Sequence, residues 1–210
     1  MFRKGVIRSL MVVCVFGSIT CFFAMLLITP TEGFNLNYKY IPKYYGWRQC
    51  EDKQSLTLLN NVTYQLDSDG GTIWSGVVDF LAPIKDLTKL AVTLHRCSGG
   101  VSPNLCEYYT HWIWTTAVCS MVSAKGMLWT PLAEAFEPPF KCPVPATRRI
   151  VTNGSLDIQT ALAMGVSNAE KYIWDVEVEL FNEKNLRASC VRFYVEALRV
   201  RINKLGKIKP

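Results

Sequence analysis

Six cysteines, Cys50, Cys97, Cys106, Cys119, Cys142 and Cys190, are spread along this chain without a single C-x-x-C pair. Zinc sites need closely spaced thiolates or histidines, and the two histidines, His95 and His111, show no ligand spacing. No metal is expected. Widely spaced cysteines in an even number suit structural disulfides, which persist in oxidising compartments. Six cysteines allow 15 pairings, and spacing alone does not choose among them. Cys97 and Cys106 do flank the turn-rich stretch Ser98-Gly99-Gly100-Val101-Ser102-Pro103-Asn104-Leu105, which would bring its ends together. Each bridge adds about 2–4 kcal/mol, chiefly by restricting the unfolded chain.

The other two of the eight cysteines, Cys14 and Cys21, lie in the uncharged apolar run Leu10–Ile28. Arg3, Lys4 and Arg8 precede that run, and no acidic residue appears before Glu32. This is the layout of a secretory signal, with Thr31 and Gly33 as the small residues for cleavage after Gly33. An uncleaved signal anchor is the alternative. Either way the basic flank stays cytoplasmic and everything after Gly33 reaches the lumenal or extracellular side. The expected organisation is a signal peptide over 1–33 and one secreted, extracellular domain over 34–210. Half the residues are hydrophobic and 19% are charged, which excludes a disordered chain. The net charge of +6 is modest. Lys204, Lys207 and Lys209 read as a solvated tail, so no nucleic-acid partner is expected. In this compartment Asn61-Val62-Thr63 and Asn153-Gly154-Ser155 are candidate glycosylation sites on exposed turns.

The region beyond the signal reads as strands. Leu90, Val92 and Leu94 alternate with Ala91, Thr93 and His95; Trp174, Val176, Val178 and Leu180 alternate with Asp175, Glu177 and Glu179. Period two of this kind marks half-buried strands. Val191, Phe193, Val195 and Ala197 continue after a turn at Phe181–Asn185, so residues 172–202 are predicted to form a hairpin. A phase slip near Ala197, where Leu198, Val200 and Ile202 take over, suggests a bulge there. Asn61–Leu66 and Ser75–Ala82 read as shorter strands divided by the turn cluster Asp67–Gly71. Residues 98–150 carry six prolines and a Gly-Gly pair, so they are expected to be irregular apart from one short helix within Thr115–Ala124. The fold class is therefore all-β, a two-sheet sandwich or cup with an irregular disulfide-tied insertion.

The ordered set Tyr45-Gly46-Trp47-Arg48-Gln49-Cys50, Cys97 with Cys106, Cys106-Glu107-Tyr108, Cys119-Ser120-Met121-Val122 and Pro138-Pro139-Phe140-Lys141-Cys142-Pro143, closed by a Trp174-to-Phe181 strand and a last strand at Cys190, resembles the ganglioside-activator branch of the ML-type lipid-recognition family. The order resembles especially that branch's insect relatives, the chemosensory B-type proteins, over roughly Tyr45–Ile202. The resemblance implies a β-cup around an apolar cavity and the pairs Cys50–Cys190, Cys97–Cys106 and Cys119–Cys142. The ganglioside activator carries a further cysteine pair in the region matching 119–142 that this chain lacks, which implies a looser loop over the cavity mouth.

A lipid carrier needs apolar surface rather than a catalytic group, since each methylene removed from water is worth about 0.8 kcal/mol. All 6 tryptophans and all 9 tyrosines follow the signal. Trp112-Ile113-Trp114, Met127-Leu128-Trp129 and Phe136 cluster in the irregular middle, as the rim or membrane-touching lip of a cavity or as the underside of a long loop. Trp74 and Trp174 are expected in the core, and Trp47 against a disulfide. Asp175, Glu177 and Glu179 read as a solvated face that could also bind a basic partner. His95 and His111 read as structural, Ser155 and Asp157 lack triad spacing, and there is no phosphate loop or nucleophile elbow. The expectation is a non-enzymatic secreted protein, without cofactor, that binds and presents or transfers a lipid or other hydrophobic small molecule. A protein-interaction module with a filled core is the alternative, and a secreted hydrolase the third.

Overall fold

The computed structural model describes residues 38–163 and 169–202. The signal segment 1–33 and the three tail lysines lie outside them. Nine strands run in the order β1 Tyr38–Gln49, β2 Thr57–Leu66, β3 Thr72–Phe80, β4 Leu87–Cys97, β5 Cys106–Trp114, β6 Phe136–Glu137, β7 Arg148–Gly154, β8 Ile173–Asn182 and β9 Arg187–Arg201. They form two antiparallel sheets, one of five strands in the order β1-β9-β8-β4-β5 and one of four in the order β2-β3-β7-β6. The chain is thus an all-β, two-sheet protein, as its period-two segments predict. The β8–β9 hairpin pairs Trp174 with Val195, Val176 with Phe193 and Val178 with Val191, which puts their apolar side chains on one face.

Several expectations are corrected. β8 runs through Asn182, and the turn follows it: the buried Asn182 side chain accepts the backbone N–H of Lys184 and of Leu186 at 3.0 and 2.9 Å. There is no bulge at Ala197, because β9 pairs with β1 without interruption from Pro42↔Ala197 to Tyr38↔Arg201. The register shift lies on the partner strand instead, between Tyr44 and Gly46, and it leaves both Tyr44 and Trp47 in the core. The middle region holds a nine-residue strand, β5, that carries Trp112-Ile113-Trp114. It also holds two helices rather than one, α1 Val118–Val122 and α2 Thr130–Glu134, and a third, α3 Ile158–Ala163, follows β7. Prolines stop a helix interior but are tolerated at its first turn, where the missing N–H has no partner to lose; Pro131 starts α2 in this way.

The disulfides join Cys50 to Cys190, Cys97 to Cys106 and Cys119 to Cys142, across 140, 9 and 23 residues. These are the pairs that the resemblance implies. β1 packs against β2 and β3, so the sheets meet along that side. Away from it, α1 rests on β4 and α2 on β7.

Trp47 sits at the closed side. Its ring stacks on Phe193 at 4.0 Å and on Trp74 at 4.8 Å, so its aromatic partners, rather than a disulfide, define its place. Trp74 and Trp174 are buried, as expected of core residues. Tyr44 is buried beside them, and burial pushes its hydroxyl far above the ordinary phenol range. Its oxygen accepts the Leu156 N–H at 2.8 Å, tying the loop after β7 to β1. Tyr44→Phe is expected to cost about 1–3 kcal/mol, because it leaves a buried N–H without a partner. Chemical denaturation of the two proteins checks this; equal stabilities would contradict it.

Candidate functional site

The apolar interior is divided. One buried cluster is built on Tyr44, Trp47, Trp74, Leu94, Val151, Trp174 and Phe193. The other is built on Phe80, Ile84, Leu87, Leu90, Val118 and Val144. Four residues touch both clusters yet keep accessible surface: Val78 from β3, Phe136 from β6, Val92 from β4 and Val178 from β8. Two come from each sheet.

Strand register explains why they meet. Across the five-stranded sheet, Gln49 pairs with Val191, Val191 with Val178, Val178 with Val92 and Val92 with Trp112. The row is one residue deep on every strand and all of its members are part-exposed. One register step away, the row Phe193, Val176 and Leu94 is buried. Central-strand valines facing an opposite sheet are normally among the most buried residues of a sandwich. Here the inner face of β8, the middle strand, holds a valine that neither cluster closes over. The seam between the clusters is apolar on both walls.

The proposed rim residues fall into this frame unequally. Trp112 and Trp114 alternate with Ile113 along β5, their rings 6.1 Å apart. Trp112 packs on the first cluster and Trp114 on the second, whereas Ile113 is 56% exposed on the opposite face. Leu128 and Trp129 pack on the first cluster, Phe136 on both, and Met127 is part-buried. Trp129 donates its indole N–H to the Met121 carbonyl at 3.1 Å, which fixes the loop against α1. The structure therefore brings Trp112, Trp114, Leu128, Trp129 and Phe136 toward the interior and turns Ile113 away from it. From sequence, Val92, Val178 and Val191 read as strand-face residues and Val78 falls within the Ser75–Ala82 strand, but none of the four reads as a site residue. Their signal is present in the alternation, but a valine on a strand reads as core whether or not a space lies above it.

The outer face of β8 differs from expectation. Asp175 is not solvated: it is 3% exposed and bonded to Arg192, whose Nε lies 2.7 Å from its Oδ1. Donating to the Asp175 carboxylate raises Arg192 above its ordinary value. Glu179 meets Lys53 at 2.8 Å and Arg187 at 3.1 Å, and Glu177 bonds Lys53 as well. These partners neutralise the acidic face internally, so little of it is left for a basic partner. Near one end of it, Gln49, Cys50, Glu51, Lys53, Gln54, Ser55 and Leu58 line an open depression of about 440 Å³.

Among the described residues, ligand chemistry elsewhere is sparse. His95 lies edge-on to Tyr108 at 5.9 Å, and the exposed His111 shares a hydrogen bond with Thr93 at 2.9 Å. Asp157 caps the start of α3 by accepting the N–H groups of Gln159 and Thr160 at 3.0 and 3.2 Å, and Ser155 bonds weakly to the Leu156 carbonyl at 3.5 Å. Two groupings of metal-ligating residue types, Cys50-Glu177-Cys190 and Asp86-Cys119-Cys142, are each built on a disulfide. Their sulfurs are not thiolates, so neither is a metal centre.

Both sequon asparagines are exposed and adopt left-handed backbone, Asn61 at φ 52° and Asn153 at φ 59°. Asparagine tolerates this conformation better than most residues. Each sits at a register shift beside β3, Asn61 on β2 and Asn153 on β7. Among the described residues no helix is long and apolar enough to cross a membrane. No protein-family model matches the chain, and no curated protein matches it.

Proposed function

We propose that the chain is a secreted, non-enzymatic carrier of the lipid-recognition type, which holds the hydrocarbon portion of a lipid or other hydrophobic small molecule between its two sheets. The observation that carries this reading is the apolar seam: Val78, Phe136, Val92 and Val178 bridge the two clusters while remaining part-exposed. An alkyl chain laid along it would cover that surface, at about 25 cal/mol for each Å² removed from water. The three disulfide pairs support the family assignment, and they suit an oxidising, extracellular setting. Trp112 and Trp114 stand at the β5 end of the valine row, where a ligand would pass them. The exposed Ile113 is the member of the group left to touch a membrane surface.

An environment-sensitive apolar fluorophore tests the reading. The purified protein is expected to enhance its emission saturably, at one site, and a long-chain lipid is expected to displace it. A protein with no saturable uptake is the filled-core interaction module instead. Asn61 and Asn153 are proposed to carry N-glycans. Enzymatic deglycosylation of the secreted protein should then lower its mass by two glycans, and Asn61→Gln or Asn153→Gln by one each; an unchanged mass would rule the sites out.

A further inference from the structure

We propose that Arg149 anchors an anionic headgroup, so that the molecule held between the sheets is an amphiphile ending in a carboxylate or phosphate. This rests on the apolar-seam reading and adds its polar end. β7 alternates Arg148 and Ile150 outward with Arg149 and Val151 inward: the first two are exposed, whereas Arg149 is 4% and Val151 0% exposed. The register places Arg149 directly opposite Val78 and Val151 opposite Phe136. Val78 and Phe136 are the two seam residues contributed by this sheet. Arg149 is therefore a cation on the inner wall beside the apolar groove.

Its charge is only partly met. Nη1 donates to the carbonyls of Pro138 and Pro139 at 2.8 and 3.2 Å. The guanidinium lies 6.0 Å from the centre of the Phe80 ring. Nε is buried with no hydrogen-bond partner, and Arg149 makes no ion pair among the described residues. The nearest acid in register, Asp79, is held from the outer face by Arg148 at 2.8 Å. A buried lysine can escape its desolvation penalty by losing a proton, but a guanidinium cannot. Two carbonyl dipoles do not neutralise it, and its planar fork matches the paired oxygens of a carboxylate or phosphate. An apolar groove running up to a buried arginine with free donors is built for a hydrocarbon tail with an acidic end.

The test titrates the purified protein with three single-chain ligands of equal length: a fatty acid, a lysophosphatidic acid and a fatty alcohol. At least one acidic ligand is expected to bind the wild-type protein about tenfold or more tightly than the alcohol, as one charge-assisted contact provides. Whichever acid leads identifies the headgroup. Arg149→Met is expected to erase that preference by weakening the acid far more than the alcohol, and Arg149→Lys to keep part of it. If the alcohol binds as tightly as both acids, the proposal fails and the seam reading survives, leaving Arg149 as a tie for the Pro138–Pro139 loop. If none of the three binds, both fail. The wild-type comparison decides the matter even where a variant does not fold.

Discussion

A Cys50→Ala, Cys190→Ala double variant is expected to lose about 2–5 kcal/mol of unfolding free energy and to be secreted poorly. The bridge closes 140 residues, from the end of β1 to β9. Cutting it returns conformational freedom to nearly the whole domain in the unfolded state. In the chain-entropy account the cost grows with the logarithm of loop length, to about 5 kcal/mol for a loop of this size and about 3 kcal/mol for the nine-residue Cys97–Cys106 loop. That short bridge only staples the hairpin formed by β4 and β5, which is already paired from Leu90↔Trp114 to Cys97↔Cys106. Denaturant titration of the two double variants therefore ranks them, with Cys50–Cys190 the costlier loss by about 2 kcal/mol. The opposite ranking would mean that native-state contacts around the short bridge, rather than chain entropy, govern these crosslinks.

Filling the seam should separate ligand binding from stability. Val178 lies at the centre of the five-stranded sheet, beside Val92 on β4 and Val191 on β9, and it touches both clusters without being closed over by either. Val178→Phe projects a ring into the space between the sheets. Because Val178 keeps accessible surface, the change is expected to alter stability by less than about 1 kcal/mol and to weaken uptake of the apolar fluorophore about tenfold or more. Val151 is the control, since it is 0% exposed and faces the same interior. There the added volume has no room, so Val151→Phe should cost about 1–3 kcal/mol. If both substitutions destabilise alike and Val178→Phe leaves uptake untouched, the interior is closed at Val178 and the seam is not a binding groove.

The parts of this fold written in periodicity could be read from the chain. β8 alternates apolar and polar residues from Trp174 to Leu180 and β9 keeps period two from Val191 to Ala197, and the Asp67–Gly71 cluster supplies a turn whose Gly70 takes a left-handed φ of 74°, a conformation that glycine adopts freely. β5 could not be read this way. Tyr108, Tyr109, Trp112 and Trp114 put aromatic residues on both faces of an edge strand, so Cys106–Trp114 shows no clean alternation, and the glycines and prolines around it argue for irregular chain. The short helices escaped because five or six residues carry little pattern.

The candidate site divides along the same line. The aromatic cluster at Trp112–Trp114 and Leu128–Trp129 was visible as composition. That Ile113 faces away from its neighbours follows only from the strand that carries them. The solvated reading of Asp175 failed, and Arg149 gave no signal, for a related reason. Asp175 and Arg149 belong to residue types that are rarely buried, and what permits their burial is tertiary: Arg192 reaches Asp175 across the sheet, and the Pro138–Pro139 carbonyls receive Arg149. The seam valines were legible as core but not as residues that stay part-exposed. Whether a side chain is covered depends on the spacing of two sheets, which no local pattern encodes.

The central claim is that the interior between the sheets holds a hydrophobic ligand. Native mass spectrometry of the protein purified from a secreting eukaryotic cell, without detergent or added lipid, tests it most directly. A bound species of lipid mass is expected, one that disappears on organic extraction and returns, in one copy per chain, when the extracted protein is incubated with a single-chain amphiphile. A protein that carries only the mass of its chain and glycans, and that takes up no amphiphile after extraction, would contradict it.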